Sequence, residues 1–187
     1  MRKIFFQMMV SLDGYFEPPD RSYDWHVVDG DFDRYVLDML DSIDGMLMGR
    51  VVWEEMAKYW PTDGGSHARG MNSLEKIVFS RTLTKLPVEW NNSRLVQGDA
   101  VEEIRRLKNQ PGKDLSIGGS RFVASLVDTG LIDEYRILVA PIVLGAGTPL
   151  LHGVKHRLKL RLVESRRFSS GVTCNHYLPE PLPSSGA

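Results

Sequence analysis

The chain has one cysteine, Cys174, so an intramolecular disulfide and a cluster of thiolate metal ligands are both ruled out. Charge of one sign is not concentrated anywhere. The 23 Lys and Arg residues are balanced by 24 Asp and Glu, the formal net charge is −1, and no run of five like charges occurs. This balance gives no basis for expecting a nucleic-acid or anionic-membrane partner. No stretch approaches the roughly 20 apolar residues needed to span a bilayer. The start, MRKIFFQMMVSLDG, is basic and then apolar. However, Gln7 interrupts it and no small-residue cleavage site follows, so a signal peptide is not expected and the cytoplasm is the default location. No HExxH or similar ligand spacing appears among the five histidines. His152 and His156 are four apart, but Gly153 lies between them and a loop is the better reading, so no metal is expected.

What is present fits one α/β domain, since 187 residues are ample for a single core. KIFFQMMV reads as a strand closed by the Asp-Gly turn of SLDG. A long loop rich in Pro, Asp and aromatics follows. From Asp31 apolar residues recur at helical spacing, with Asp29 or Asp31 available to cap the first turn. DGMLMG reads as a strand and RVVWEEMAKYW as a helix stopped at Pro61. TDGGSHARG reads as a flexible connector, then EKIVFS and SRLVQ as strands. DAVEEIRRLKN is the clearest helix, with Asp99 at its start and Pro111-Gly112 beyond its end. DLSIGG predicts a strand, SRFVASLVDTG a helix closed by Gly130, and DEYRILVAPIVLG a long apolar strand. LKLRLVESRRF and VTCNHYL alternate around SSG as a hairpin. Strand–helix alternation predicts a mostly parallel sheet with helices on both faces and an antiparallel hairpin at one edge. The domain is expected over residues 1–178, with PEPLPSSGA (179–187) as a disordered tail.

Open parallel sheets bind ligands beyond the carboxyl ends of their strands. Three such ends carry anion-binding chemistry: LMGR (47–50), VFSRT (78–82) and SIGGSR (116–121). Gly118 and Gly119 serve either tight packing or the approach of a ligand to bare backbone. Ser120 stands where a helix begins, with free N–H groups suited to phosphate. Arg50 and Arg81 offer planar forks of donors, and Ser80 and Thr82 add hydroxyls. A Gly-x-Gly occurs in LGAGTPL, but it lies late in the chain, has Leu150 in place of the third glycine and opens no convincing helix, so it is no Rossmann fingerprint.

The segments MMVSLDGYF, LMGRVVWEEM, KIVFSRTL and SIGGSRFVASLVDTGLIDEYRILVAPIVLGAGTPLL occur in an order that resembles the dihydrofolate-reductase-like superfamily. The resemblance is closest to the reductase domain of bifunctional riboflavin-biosynthesis enzymes and its stand-alone relatives, and runs from Lys3 to about Leu178. It implies a three-layer α/β fold with an eight-stranded, mostly parallel sheet, and an NADPH-dependent reductase acting on a small planar heterocycle, pterin-like or pyrimidine-like. A non-catalytic protein binding a nucleotide or metabolite on the same fold is the alternative. Homodimerisation is expected for such domains. By resemblance, Gly49, Arg50, Ser80, Arg81 and Thr82 face the 2′-phosphate end of NADPH. Gly118, Gly119, Ser120, Arg121 and Phe122 face its pyrophosphate, and Leu144, Gly145 and Gly147 stand near cofactor or substrate.

Reduction also needs a proton source. Counting back from MGR places Asp33 where folate reductases keep a substrate-gripping carboxylate, while the SLDG aspartate, Asp13, faces substrate in riboflavin-type reductases. The helix dipole is a sufficient and commoner reason for Asp33, while an Asp-Gly turn explains Asp13 as well as a functional role does. Tyr15, Phe16, Trp25 and Trp53 are candidates for an apolar slot holding a flat ring. The folate reductases' Trp-x-x-Pro stretch is absent, WHVVDGD standing in its place, and nothing resembles the zinc deaminase domain that accompanies riboflavin reductases.

Overall fold

The computed structural model describes residues 1–27 and 29–180. Eight strands form the main sheet, in the order β5-β4-β3-β6-β1-β7-β10-β9. The first six, β1 (Ile4–Val10), β3 (Ile43–Gly49), β4 (Glu75–Phe79), β5 (Ser93–Val96), β6 (Asp114–Gly118) and β7 (Glu134–Val139), pair in parallel. β9 (Leu160–Arg167) and β10 (Thr173–Pro179) form the expected antiparallel hairpin at one edge. A separate two-stranded ribbon joins β2 (Tyr15–Glu17) to β8 (Thr148–Pro149).

Alternation along the strands builds two apolar layers. Ile4, Phe6, Leu47, Ile77, Leu115 and Ile117 face one way and pack against Ile104 and Leu107 of α4 (Ala100–Lys108) and Val123 of α5 (Ser120–Ala124). Phe5, Met46, Met48 and Val78 face the other way, against Leu40 of α1 (Gly30–Asp41), Trp53 and Ala57 of α2 (Arg50–Ala57) and Met71 of α3 (Ser66–Ser73). Because the parallel strands are covered on both faces, their sequences read as continuous apolar runs.

The caps follow from local chemistry. Asp29, not Asp31, caps α1 by accepting the Phe32 N–H at 2.8 Å. Its carboxylate also accepts the Ser170 N–H, and Asp31 accepts that of Ser169, so α1 holds the turn of the β9–β10 hairpin. Asp99 caps α4 through the N–H groups of Val101 and Glu102.

Four expectations are corrected. TDGGSHARG is not a simple connector, because Ser66–Ser73 is helical. Its Gly70 lies against α1 so closely that a Cβ there would stand 3.0 Å from Leu40 Cδ1. The helix expected over 120–130 ends at Ala124 and is followed by a short 3-10 turn, Val127–Thr129. Ser125 Oγ donates to the Phe122 carbonyl and Thr129 Oγ1 to that of Leu126, competing with the helical pattern. The long strand expected over 133–145 stops at Val139, just before Pro141, which has no N–H to donate. Finally, the first two residues of the expected tail are ordered: Pro179 ends β10 and the Glu180 N–H bonds the Lys159 carbonyl. The rest of that expectation, 181–187, lies outside the described residues.

Candidate functional site

Strand register sets the site. Gly49 lies beside Phe79, Phe79 beside Val96, and Met48 beside Gly118, so β5, β4, β3 and β6 finish level at their carboxyl ends. Beyond that edge lies a cleft of about 770 Å³. Gly49 and Arg50, Phe79 to Arg81, and Gly119 to Phe122 all line it, so the three strand ends singled out by their turn chemistry open into one space. The cleft lies within the usual range of ligand pockets, roughly 300–1,000 Å³.

The paired glycines have different roles. Gly119 has φ +97 and ψ 102, a conformation that side-chain-bearing residues avoid, and a Cβ there would stand 3.3 Å from Val52 Cγ2. At Gly118 a Cβ would meet only Val52 Cγ1, at an ordinary 3.9 Å. The turn therefore requires one glycine, Gly119. After it, the N–H groups of Ser120, Arg121 and Phe122 have no hydrogen-bond partner among the described residues. Ser120 is buried, and its hydroxyl accepts the Leu151 N–H at 3.0 Å, so that hydroxyl holds a loop and the residue's backbone faces the cleft.

At the other pole, Arg50 donates to both oxygens of Glu54, at 3.1 and 2.8 Å, and still lines the cleft. No carboxylate pairs with Arg81 or Arg121 among the described residues. Ser80 Oγ accepts the N–H groups of Thr82 and Leu83, which fixes the turn; Thr82 itself does not line the cleft. Phe79 and Phe122 stack at 4.9 Å across the floor.

Neither expected acid lines the cleft. Asp13 accepts the Leu144 N–H at 3.1 Å and the Gly145 N–H at 2.7 Å. Hydrogen bonding to the Ser11 hydroxyl, and then to those two N–H groups, holds its carboxyl below the ordinary aspartate value against the opposing effect of desolvation. Asp13 is thus an ionised clamp on the 141–147 loop. Asp33 lies 2.9 Å from His67 Nε2, on the side of α1 that meets α3. Leu144, Gly145 and Gly147 are also outside the cleft lining. Gly147 serves the ribbon: at φ +145, a Cβ would fall 2.3 Å from the Glu17 carbonyl oxygen.

The aromatic slot is corrected as well. Trp53 is fully buried and donates to Ser93 Oγ at 3.0 Å, and Trp25 is buried and donates to the Ser22 carbonyl. Both are core residues. Tyr15 lies in the ribbon and only Phe16 of the four lines the cleft. The sequence reading missed Glu17, Arg21 and Thr148 on the ribbon side, and the Val96–Val101 turn that leads from β5 into α4. The last joins a strand to a helix as the ends at Gly49 and Gly118 do. The ribbon residues had no signal, because β2–β8 pairing joins segments far apart in the chain.

A family model, the RibD C-terminal domain, matches residues 2–174. The chain belongs to the RibD C-terminal domain family. Among relatives of this domain, the uncharacterised protein YyaP of Bacillus subtilis (strain 168) is 34% identical over 177 residues, covering 91% of this chain and 92% of its own. A Shewanella sp. PV-4 protein provisionally assigned to riboflavin biosynthesis superposes with a TM-score of 0.78 at 26% identity, over 97% of this chain and all of its own. Dihydrofolate reductase from Enterococcus faecalis superposes with a TM-score of 0.64 at 14% identity, over 96% of this chain and 97% of its own. The RibD C-terminal domain here has the dihydrofolate-reductase-like fold.

Proposed function

We propose that this RibD C-terminal domain is an NADPH-dependent reductase of a small planar heterocycle, pterin-like or pyrimidine-like. The observation that carries the proposal is the convergence of three strand ends on one cleft, with guanidinium groups at one pole and unpaired backbone N–H groups at the other. The residues fit the cofactor. Arg50, Arg81 and Ser80 supply cations and a hydroxyl for a terminal phosphate monoester. The Gly119–Phe122 turn supplies N–H groups for a pyrophosphate, and Gly119 leaves room for it to approach. Phe16, Glu17 and Thr148 of the ribbon line the same cleft and would hold the rest of such a ligand together with a substrate. The E. faecalis reductase of the same fold was solved with NADP(H). Bound, the cofactor supplies hydride.

The chain's own residues position the rings, and the proton comes from water admitted through the open cleft, since Asp13 is ionised and clamped and Asp33 is turned toward His67. That same absence of an acid in the expected places favours the second reading, a non-catalytic nucleotide-binding protein. Calorimetric titration with NADPH and NADH tests the first step. We expect NADPH to bind about tenfold or more tightly than NADH, and Arg81→Gln to erase most of that preference, because a charge-assisted contact to the 2′-phosphate is lost. Equal, weak binding of both nucleotides refutes the cofactor assignment. Tight NADPH binding with no oxidation across reducible pterins and pyrimidines supports the second reading instead.

A further inference from the structure

A second cavity, of about 470 Å³, lies beside α5. Its lining includes Arg121, Ser125, Asp128, His152, Gly153 and Lys155. No carboxylate pairs with Arg121, His152 or Lys155 among the described residues, and the one acid on the wall, Asp128, lies 3.0 Å from His156 Nδ1. The cavity therefore has an excess of cationic and donor groups. Arg121 and Ser125 border both this cavity and the main cleft, so the two spaces meet along α5.

The loop that supplies His152 and Lys155 is held in shape by several bonds. Leu151 has φ +54, a left-handed conformation unusual for a side chain that size, and Gly153 has φ +97. Ser120 Oγ fixes the Leu151 N–H, Pro149 O accepts the His152 N–H, and Leu151 O accepts that of Val154. Local backbone strain kept in place by such bonds is a feature of ligand-binding loops. Here it brings His152 and Lys155 to the same cavity as Arg121. Nothing in the cofactor assignment uses His152 or Lys155.

From this arrangement we infer that the cavity is a second oxyanion site, built for a phosphate-type group and adjoining the cofactor cleft. Arg121 supplies a fork, Lys155 a point charge and His152 a ring N–H, which is the donor set a phosphate uses. The phosphate comes either from a free inorganic anion or from the far end of an organic monoester. The site does not depend on the cofactor assignment being correct.

Calorimetric titration of the full chain with inorganic pyrophosphate and with glycerol phosphate, each with and without saturating NADPH, tests the inference. His152→Gln, Lys155→Gln and their double variant change exposed loop residues that play no part in the fold's core. We expect one anion to bind per chain with NADPH present, and the double variant to weaken it by about tenfold or more through lost charge-assisted contacts. NADPH affinity should change by less than about twofold, because neither residue touches the main cleft. Lys155→Arg should retain anion binding. Tighter binding of pyrophosphate assigns the site to a free anion, and tighter binding of glycerol phosphate to a substrate-borne one. Anion affinity equal in wild type and double variant, or anion binding seen only when the main cleft is open to it, overturns the proposal. Failure of NADPH to bind removes the cofactor assignment, and the comparison of wild type with the double variant still decides this site.

Discussion

Replacing Gly119 with alanine gives the sharpest test of the link between backbone geometry and ligand binding. The residue has φ +97 and ψ 102, and an added methyl would stand 3.3 Å from Val52 Cγ2 and 3.8 Å from the Gly49 nitrogen. Holding an alanine there costs about 1–3 kcal/mol. The Val52 methyl can shift a few tenths of an ångström, so sterics add little. With about 2 kcal/mol lost in a chain of this size, the melting temperature should fall by about 4–8 °C. Gly118→Ala is the internal control. Its methyl would meet Val52 Cγ1 at 3.9 Å, and its φ is not in the left-handed region. Stability there should stay within about 1 kcal/mol of wild type, with a small gain from the stiffer unfolded chain. Urea titration gives the stability difference, provided the slope m is the same for all three proteins. NADPH titration of the same samples should show a loss of about tenfold or more for Gly119→Ala, because rotating that peptide misaims the N–H groups behind it. If the two alanine variants unfold at the same urea concentration and bind NADPH alike, the turn geometry has been misread.

Two further outcomes follow. Glu103 is held at about 2, first by hydrogen bonding to Arg106 and then by Arg94. Its folded value lies below the ordinary 4.5, so its contribution to stability is full above pH 4.5 and is lost as the pH falls toward 2. Chemical denaturation across that window should show Glu103→Gln losing less stability on acidification than wild type, and parallel curves would contradict the pairing. Asp13→Ala frees the Leu144 and Gly145 N–H groups, so amide exchange at those two positions should speed up while the β1 and β7 amides stay protected. Unchanged exchange at Leu144 and Gly145 would mean that the carboxylate does not hold the loop.

The parts of this molecule that were legible in the sequence are those set by neighbouring residues. The strand ends at Gly49, Ser80 and Gly118 announce themselves because each closes an apolar run with small or polar turn residues, and at Gly49 and Gly118 a helix follows. The hairpin was legible from its two-residue alternation around Ser169–Gly171. Sheet order was not, because pairing of β3 with β6 joins segments about 70 residues apart, and only that order brings the strand ends level. α3 escaped for a related reason. Gly64 and Gly65 read as a loop just before it, Gly70 weakens its intrinsic helicity, and Gly70 packs against Leu40 of α1. The aromatic candidates failed because composition cannot tell a ring in a slot from one in the core; Trp53 packs under β4 and β5 instead. Asp13 shows the limit of motif reading. SLDG was rightly marked as a turn, but what its carboxylate holds, a loop 131 residues onward, depends on the fold.

The β2–β8 ribbon forms its own two-stranded ladder, tied to the end of β1 through the Ser11–Tyr15 hydrogen bonds. One wall of the cleft, with Phe16, Glu17 and Thr148, therefore comes from a different ladder than the floor laid down by the aligned strand ends. Substitutions in the ribbon can alter which molecule is admitted while leaving the phosphate-facing groups undisturbed. One wall of the cleft can thus be rebuilt through a short flap while the groups at the strand ends keep their places.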